Sequence, residues 1–134
     1  FLGVVFPRIA TPCPSSFHRN TAGHHGNGTS RCIRLPELYN RAVQIAEAGG
    51  VADYFMGHRQ KAGFVGHGIG IEINEQPVLA PRSRDILEEG MVFALEPKFV
   101  IPEVGPVGIE NSFCVTADGV EKLTDCEESI IPLD

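Results

Sequence analysis

One histidine and two glutamates have residue types and settings suited to binding a metal ion. His67 lies between two glycines in residues 66–70, and Glu96 and Glu110 follow in stretches that are otherwise apolar. A carboxylate among apolar neighbours has to be paired, hydrogen-bonded or metal-bound, because a lone buried charge is costly. Imidazole and carboxylate groups are common ligands of catalytic metals. The three residues are therefore a candidate ligand set, with the alternative that both glutamates face solvent from an edge strand.

The size and charge of the chain exclude several classes of protein. Its 134 residues suit one domain, and its net charge of −6 argues against a nucleic-acid-binding surface. No apolar run reaches the length of a membrane span. The four cysteines contain no CxxC pair, which favours reduced thiols. We therefore expect a cytoplasmic protein that binds neither nucleic acid nor membrane.

Composition divides the chain near residue 34. Residues 1–34 are rich in Pro, Gly, Ser and Asn, which predicts an irregular or partly disordered N-terminal segment. The histidines of this segment, His18, His24 and His25, are expected to be solvated rather than to bind a metal. Residues 35–134 are predicted to form the folded part of the chain.

The clearest helix is predicted to begin at Pro36. Proline is tolerated at a first helical position, and the apolar residues that follow recur with helical spacing. Gly49 and Gly50 are expected to end this helix. A shorter helical segment is predicted over residues 51–56, followed by a polar loop over residues 57–63.

The rest of the chain has the character of strands and loops. Apolar residues alternate over residues 69–73, which predicts a half-buried strand. Pro77 and Pro81 predict an extended loop over residues 74–84, and a second loop is expected over 101–106. Further strands are predicted over residues 91–98 and 108–116, with a hairpin turn at 117–119 leading to a partner strand over 120–123. The predicted class is α+β with an antiparallel sheet.

Three motifs together resemble a known family. They run in the order and spacing of the pita-bread metallopeptidases, the family of methionine aminopeptidase, aminopeptidase P, prolidase and creatinase. The separations are 96 − 67 = 29 and 110 − 96 = 14 positions, as in the prolidase-like branch. The match covers about residues 35–123 and indicates the C-terminal part of a catalytic domain. The motifs are Gly66-His67-Gly68-Ile69-Gly70, Phe93-Ala94-Leu95-Glu96-Pro97 and Gly108-Ile109-Glu110-Asn111-Ser112.

The resemblance implies a partial pita-bread fold, in which an antiparallel sheet backed by helices cradles two divalent metal ions. It implies that His67 and Glu96 are metal ligands and catalytic residues, that Glu96 acts as acid and base, and that Glu110 bridges the metals. The implied reaction is attack of a metal-bound hydroxide on a peptide carbonyl. Mn²⁺ or Co²⁺ is the expected metal, with Zn²⁺ and Fe²⁺ as alternatives.

Two departures from the family pattern bear on activity. Family members also use two upstream aspartates, whereas the first aspartate of this chain is Asp53. The three remaining ligands would hold at most one, weakened metal. The second departure is Asn74, which stands where prolidases carry a histidine. It could still donate a hydrogen bond to the substrate but could not carry a proton.

The leading hypothesis is metal-dependent hydrolysis of Xaa-Pro dipeptides or short peptides, with this chain carrying part of the metal site. A metal-free pseudoenzyme or protein-interaction module is the alternative, and a creatinase-like C–N hydrolase is a third. We also expect a homo-oligomer, because an incomplete domain would expose sheet edges and apolar faces.

Overall fold

A computed structural model describes residues 33–129 of the chain. His18, His24 and His25 lie outside the described residues, as does all of the predicted irregular segment except its last two residues. Those two, Ile33 and Arg34, form a short strand, β1, that pairs with Ile86–Leu87. The predicted division at residue 34 stays a prediction.

The predicted helix is confirmed as α1, Leu35–Ala48. Proline lies in its first turn, and Glu37 suits the positive end of the helix dipole. The backbone N–H of Gly49 donates to the carbonyl of Ile45 at 3.0 Å, and Gly50 follows with φ +70°, a conformation that favours glycine. The second helical prediction is confirmed only in part, as the 3-10 helix Ala52–Tyr54.

Between residues 33 and 129 the remaining elements are strands, and all their pairings are antiparallel. A five-stranded sheet has the order β3-β2-β5-β8-β9, and β1-β4 and β6-β7 form two smaller sheets. The strands after β1 are β2 (Gly66–Gly68), β3 (Glu75–Val78), β4 (Ile86–Leu87), β5 (Val92–Leu95), β6 (Lys98–Ile101), β7 (Gly105–Gly108), β8 (Asn111–Thr116) and β9 (Gly119–Lys122).

A single apolar core joins the helix to the sheet. Phe93 of β5 and Phe113 of β8 are register partners, and their rings stack with centroids 5.5 Å apart. The fully buried side chains of Leu35 and Ala42 from α1 belong to the same cluster. The predicted α+β class with an antiparallel sheet is therefore confirmed. No helix described between residues 33 and 129 is long and apolar enough to cross a membrane.

The strand predicted over residues 69–73 is wrong. The strand lies earlier, at Gly66–Gly68, and the alternating apolar residues belong to an exposed loop. The backbone N–H of Gly70 bonds the carbonyl of Glu72 at 3.1 Å, so its hydrogen bond stays within the loop. Ile71 and Ile73 are 104% and 84% exposed, which shows that the alternation does not mark a buried face.

The loop predicted over residues 74–84 contains a strand, β3. Pro77 lies within it, although proline cannot donate a hydrogen bond to a sheet. β3 is at the edge of the five-stranded sheet, which is where a strand tolerates proline. The proline therefore indicated an edge strand rather than the absence of one.

Two other predicted strands are divided differently in the structure. The strand predicted over 91–98 is interrupted at Glu96 and Pro97, which separate β5 from β6. The one predicted over 108–116 begins at Asn111, and the loop predicted over 101–106 is shortened by the ends of β6 and β7. The final hairpin is confirmed, with Thr116 paired to Gly119 across its turn.

Truncation of a core side chain should destabilise this fold far more than truncation of an exposed one. Leu79 is fully buried against the core, so Leu79→Ala is expected to lower the free energy of unfolding by about 2–5 kcal/mol. Leu123 is 50% exposed, and Leu123→Ala is the matched control with an expected loss below about 1 kcal/mol. Urea unfolding followed by circular dichroism measures both. Equal losses would contradict the core described above.

Candidate active site

His67 is held at the centre of three closely spaced strands. Its strand, β2, lies between β3 and β5, with His67 opposite Val78 on one side and Ala94 on the other. The glycines on either side of His67 make this approach possible. A Cβ on Gly66 would overlap the Ala94 carbonyl, and a Cβ on Gly68 would overlap the carbonyl of Gln76. The Gly-His-Gly motif is therefore a requirement of backbone packing.

The two ring nitrogens of His67 have different surroundings. Nδ1 lies 3.0 Å from the carbonyl oxygen of Gly68, and the ring is buried. A carbonyl can only accept a hydrogen bond, so this contact is a hydrogen bond when Nδ1 carries the proton. In the neutral imidazole, Nε2 is then an unprotonated acceptor, and it lies 3.9 Å from Oε1 of Glu96. This tautomer is the one that metal-binding histidines commonly adopt when a backbone carbonyl orients the ring.

Glu96 lies at the break between β5 and β6. Its backbone N–H donates to the carbonyl of Val65 at 2.9 Å, so the residue remains attached to the chain that leads into β2. Pro97 follows and cannot continue the ladder. The side chain of Glu96 is 19% exposed, and its second oxygen, Oε2, lies 3.2 Å from Nζ of Lys98. Each carboxylate oxygen therefore faces a different partner.

Glu110 lies one residue beyond the end of the pairing between β5 and β8. The last pair of that ladder is Leu95 with Asn111, so the same register extended by one step would set Glu96 opposite Glu110. Side chains two residues apart on a strand share a face, so this extension would set both glutamates on the face that carries His67 and Ala94. Glu110 itself is exposed.

The described residues do not gather the predicted ligands into one cluster. Between residues 33 and 129, no group of three or more His, Cys, Asp or Glu side chains is placed to hold a metal ion. The structure brings His67 and Glu96 together and leaves Glu110 outside that pair. The assignment of all three as ligands stays a prediction.

Asn74, the predicted substrate-binding residue, lies in the exposed loop that precedes β3. The adjacent residue, Glu75, accepts a hydrogen bond from the backbone N–H of Glu72 at 3.1 Å. A side chain on Gly70 would collide with the carboxylate of Glu75. The loop is thus folded back on itself next to Asn74, whose role in substrate binding stays a prediction.

Sequence reasoning missed Lys98 as a neighbour of Glu96. The two residues are separated by one position, and side chains two apart in an extended chain point to the same side. That alternation was the available signal.

A second polar cluster lies beside Glu110 and was also missed. Asn111 is buried, and its Nδ2 donates to Oε1 of Glu128 at 3.1 Å. Its Oδ1 is buried with no hydrogen-bond partner among the described residues. Lys122 also bonds Glu128, and this hydrogen bond raises the pKa of the Lys122 ammonium. The separation of 17 positions between Asn111 and Glu128 left no local signal in the sequence.

Comparison with known proteins settles the family. A model of metallopeptidase family M24 matches residues 27–117, which is more than half of the chain. The chain belongs to metallopeptidase family M24. It is 39% identical over 101 residues to a putative dipeptidase, YkvY, of Bacillus subtilis, and 37% identical over 95 residues to the Xaa-Pro dipeptidase of Pyrococcus furiosus. The solved Xaa-Pro dipeptidase of Bacillus anthracis superposes with a TM-score of 0.71 at 29% identity.

This M24 chain corresponds to a part of those relatives. The matches cover 75% and 71% of the chain but 26% of each of the two sequence relatives. The Bacillus anthracis structure is covered over 31% of its length by 98% of this chain. The comparison confirms the predicted prolidase-like, pita-bread relationship. The described residues supply a fraction of the fold that surrounds the site in a full-length M24 relative.

Family M24 implies a divalent metal, and two of the described residues fit that role. Nε2 of His67 lies 3.9 Å from a carboxylate oxygen of Glu96, and in the neutral imidazole with its proton on Nδ1 the two groups present lone pairs to each other. Such an arrangement gains stability when a cation lies between the two groups. Two ligands are fewer than a catalytic metal requires, so His67 and Glu96 fit the group as part of its site.

The close packing around His67 should make Gly66 intolerant of a side chain. Gly66→Ala is expected to lower the free energy of unfolding by about 1–3 kcal/mol, because its Cβ would force β2 away from the Ala94 carbonyl. A Cβ on Gly63 would have no neighbouring atom within 4 Å. Gly63→Ala is therefore the matched control and should change the free energy of unfolding by less than about 0.5 kcal/mol. Thermal melting of both variants measures the difference. A stable Gly66→Ala variant would show that the strands are less closely spaced than described.

Proposed function

We propose that this chain provides the His67–Glu96 part of the catalytic centre of a metal-dependent peptidase that hydrolyses Xaa-Pro dipeptides or short peptides. One observation carries the proposal. Nδ1 of His67 lies 3.0 Å from the carbonyl oxygen of Gly68, and the other ring nitrogen, Nε2, lies 3.9 Å from the carboxylate of Glu96. A buried acceptor facing a carboxylate is unfavourable in isolation and favourable beside a cation.

The roles of the residues follow from their placement. His67 and Glu96 would hold the metal, and Glu110, in the register position opposite Glu96, would be the third ligand. A divalent metal supplies a water of lowered pKa and polarises the scissile carbonyl. Glu96 also lies at the end of a strand with 19% of its side chain exposed, where it could exchange a proton with a bound peptide.

The choice of substrate rests on relatives. The Pyrococcus furiosus and Bacillus anthracis proteins are both named Xaa-Pro dipeptidases. Asn74, exposed in the loop before β3, would donate a hydrogen bond to the substrate. We propose Mn²⁺ or Co²⁺ as the metal, which a mixed imidazole and carboxylate set suits. The cytoplasmic location and the homo-oligomeric state remain predictions from the sequence.

A second candidate function is favoured by the ion pair between Glu96 and Lys98. The ammonium already neutralises the carboxylate at 3.2 Å, so the site is electrostatically satisfied without a metal. A metal-free pseudoenzyme or protein-interaction module on the same fold would have such an arrangement. The two candidates differ in whether Glu96 supports hydrolysis once the rest of the catalytic domain is present.

A chimera tests the proposed activity. The segment of the Pyrococcus furiosus Xaa-Pro dipeptidase that matches this chain would be replaced by residues 33–129, and hydrolysis of Xaa-Pro dipeptides followed with and without added Mn²⁺ or Co²⁺. We expect metal-dependent hydrolysis in the chimera. Glu96→Gln should lower kcat by at least about 100-fold, because the amide can neither carry the proton nor ligate as a carboxylate.

The matched control for this experiment is Glu121→Gln. Glu121 is an exposed carboxylate of β9, and its substitution should leave kcat unchanged. A chimera that has a native circular dichroism spectrum but neither binds metal nor hydrolyses the dipeptides would support the metal-free candidate instead.

A further inference from the structure

Lys98 is the cation closest to the candidate metal-binding carboxylate in the contacts described for residues 33–129. Its Nζ lies 3.2 Å from Oε2 of Glu96, while Nε2 of His67 approaches Oε1 of the same group. The Lys98 side chain is 39% exposed and that of Glu96 is 19% exposed. The pair is therefore partly shielded from solvent, where an ion pair is screened less than at an open surface.

The position of Lys98 is set by its backbone. Its carbonyl accepts a hydrogen bond from the N–H of Met56 at 2.8 Å, and the residue pairs with Gly108 across β6 and β7. A Cβ on Gly108 would lie 2.8 Å from the Cβ of Lys98, so the glycine leaves the space in which the lysine side chain begins. Lys98 is thus anchored from two neighbouring segments.

We propose that Lys98 is an internal competitor for the metal at Glu96: its ammonium already neutralises the carboxylate at Oε2 and thereby weakens the binding of a divalent cation between Nε2 of His67 and Oε1 of Glu96. The inference rests on the proposed function in one respect, the role of Glu96 as a ligand. It goes further by assigning the metal affinity of the site to a residue that is not itself a ligand.

Two physical effects of the Lys98 ammonium both weaken the binding of a divalent cation at Glu96. The ion pair at Oε2 already offsets part of the negative charge of the carboxylate, so a divalent cation at Oε1 gains less from Glu96 than it would from a free carboxylate. The ammonium also repels a cation bound nearby, and this repulsion is stronger in a partly buried site than in water. Removal of the lysine charge should therefore tighten metal binding, whereas a substitution that keeps the charge should not.

Mn²⁺ binding to the full 134-residue chain tests this directly, with free Mn²⁺ measured by electron paramagnetic resonance. Lys98→Met removes the charge and keeps an unbranched side chain, and we expect its dissociation constant to fall by about three- to tenfold. Lys98→Arg keeps the charge and should bind Mn²⁺ as the parent chain does. Adding Glu96→Gln to Lys98→Met should abolish the gain.

Lys122→Met is the matched control, because Lys122 also forms an ion pair with a glutamate, Glu128. An equal gain in Lys122→Met would reveal a general effect of net charge and would overturn the proposal. No gain in Lys98→Met, or no measurable binding by it, would overturn it as well, provided that the variant melts cooperatively. The readout is binding alone, so its outcome is independent of whether the chimera hydrolyses peptides.

Discussion

The close approach of three backbones around β2 is the constraint on which the candidate site depends. β2 has three residues, and two of them are glycines that face a neighbouring carbonyl where any Cβ would overlap. With so little room, the one side chain of the strand, His67, is confined to a narrow range of positions. The absence of side chains on both neighbours of His67 therefore allows the close packing around the imidazole. The pairing of His67 with Val78 and Ala94 fixes the position of this residue in the sheet.

From this histidine the rest of the site follows by strand register. The partner of His67 is Ala94, and Glu96 lies two positions further along the chain, just beyond the end of β5. Pro97 then ends the ladder, which frees the glutamate from a regular strand while its N–H stays bonded to Val65. A carboxylate at the end of a strand can reach partners on both sides, and Glu96 uses this freedom to contact His67 and Lys98 with separate oxygens.

Sequence periodicity was sufficient for the elements that depend on local structure. The helix α1 has an apolar stripe, a proline in its first turn and glycines at its end, and the final hairpin has a short turn. Periodicity failed where contacts between distant parts of the chain determine the secondary structure. The alternation over residues 69–73 resembles a strand, but the backbone N–H of Gly70 bonds the carbonyl of Glu72 within the loop, and Ile71 and Ile73 are exposed. The strand that does form, Gly66–Gly68, has almost no side chains from which a pattern could be recognised.

The motifs identified the family correctly, yet they point only to candidate ligands and not to the group that neutralises Glu96. The negative charge of Glu96 is balanced by Lys98, from within the same stretch of sequence. Family membership and metal occupancy are therefore separate properties of this chain. Family membership follows from the fold around His67. Metal occupancy depends on whether a divalent cation interacts more favourably with Glu96 than the ammonium of Lys98 does. Ligands contributed by a larger part of the protein would shift that balance towards the metal, since each added carboxylate strengthens the attraction for a divalent ion and leaves the single contact of Lys98 unchanged.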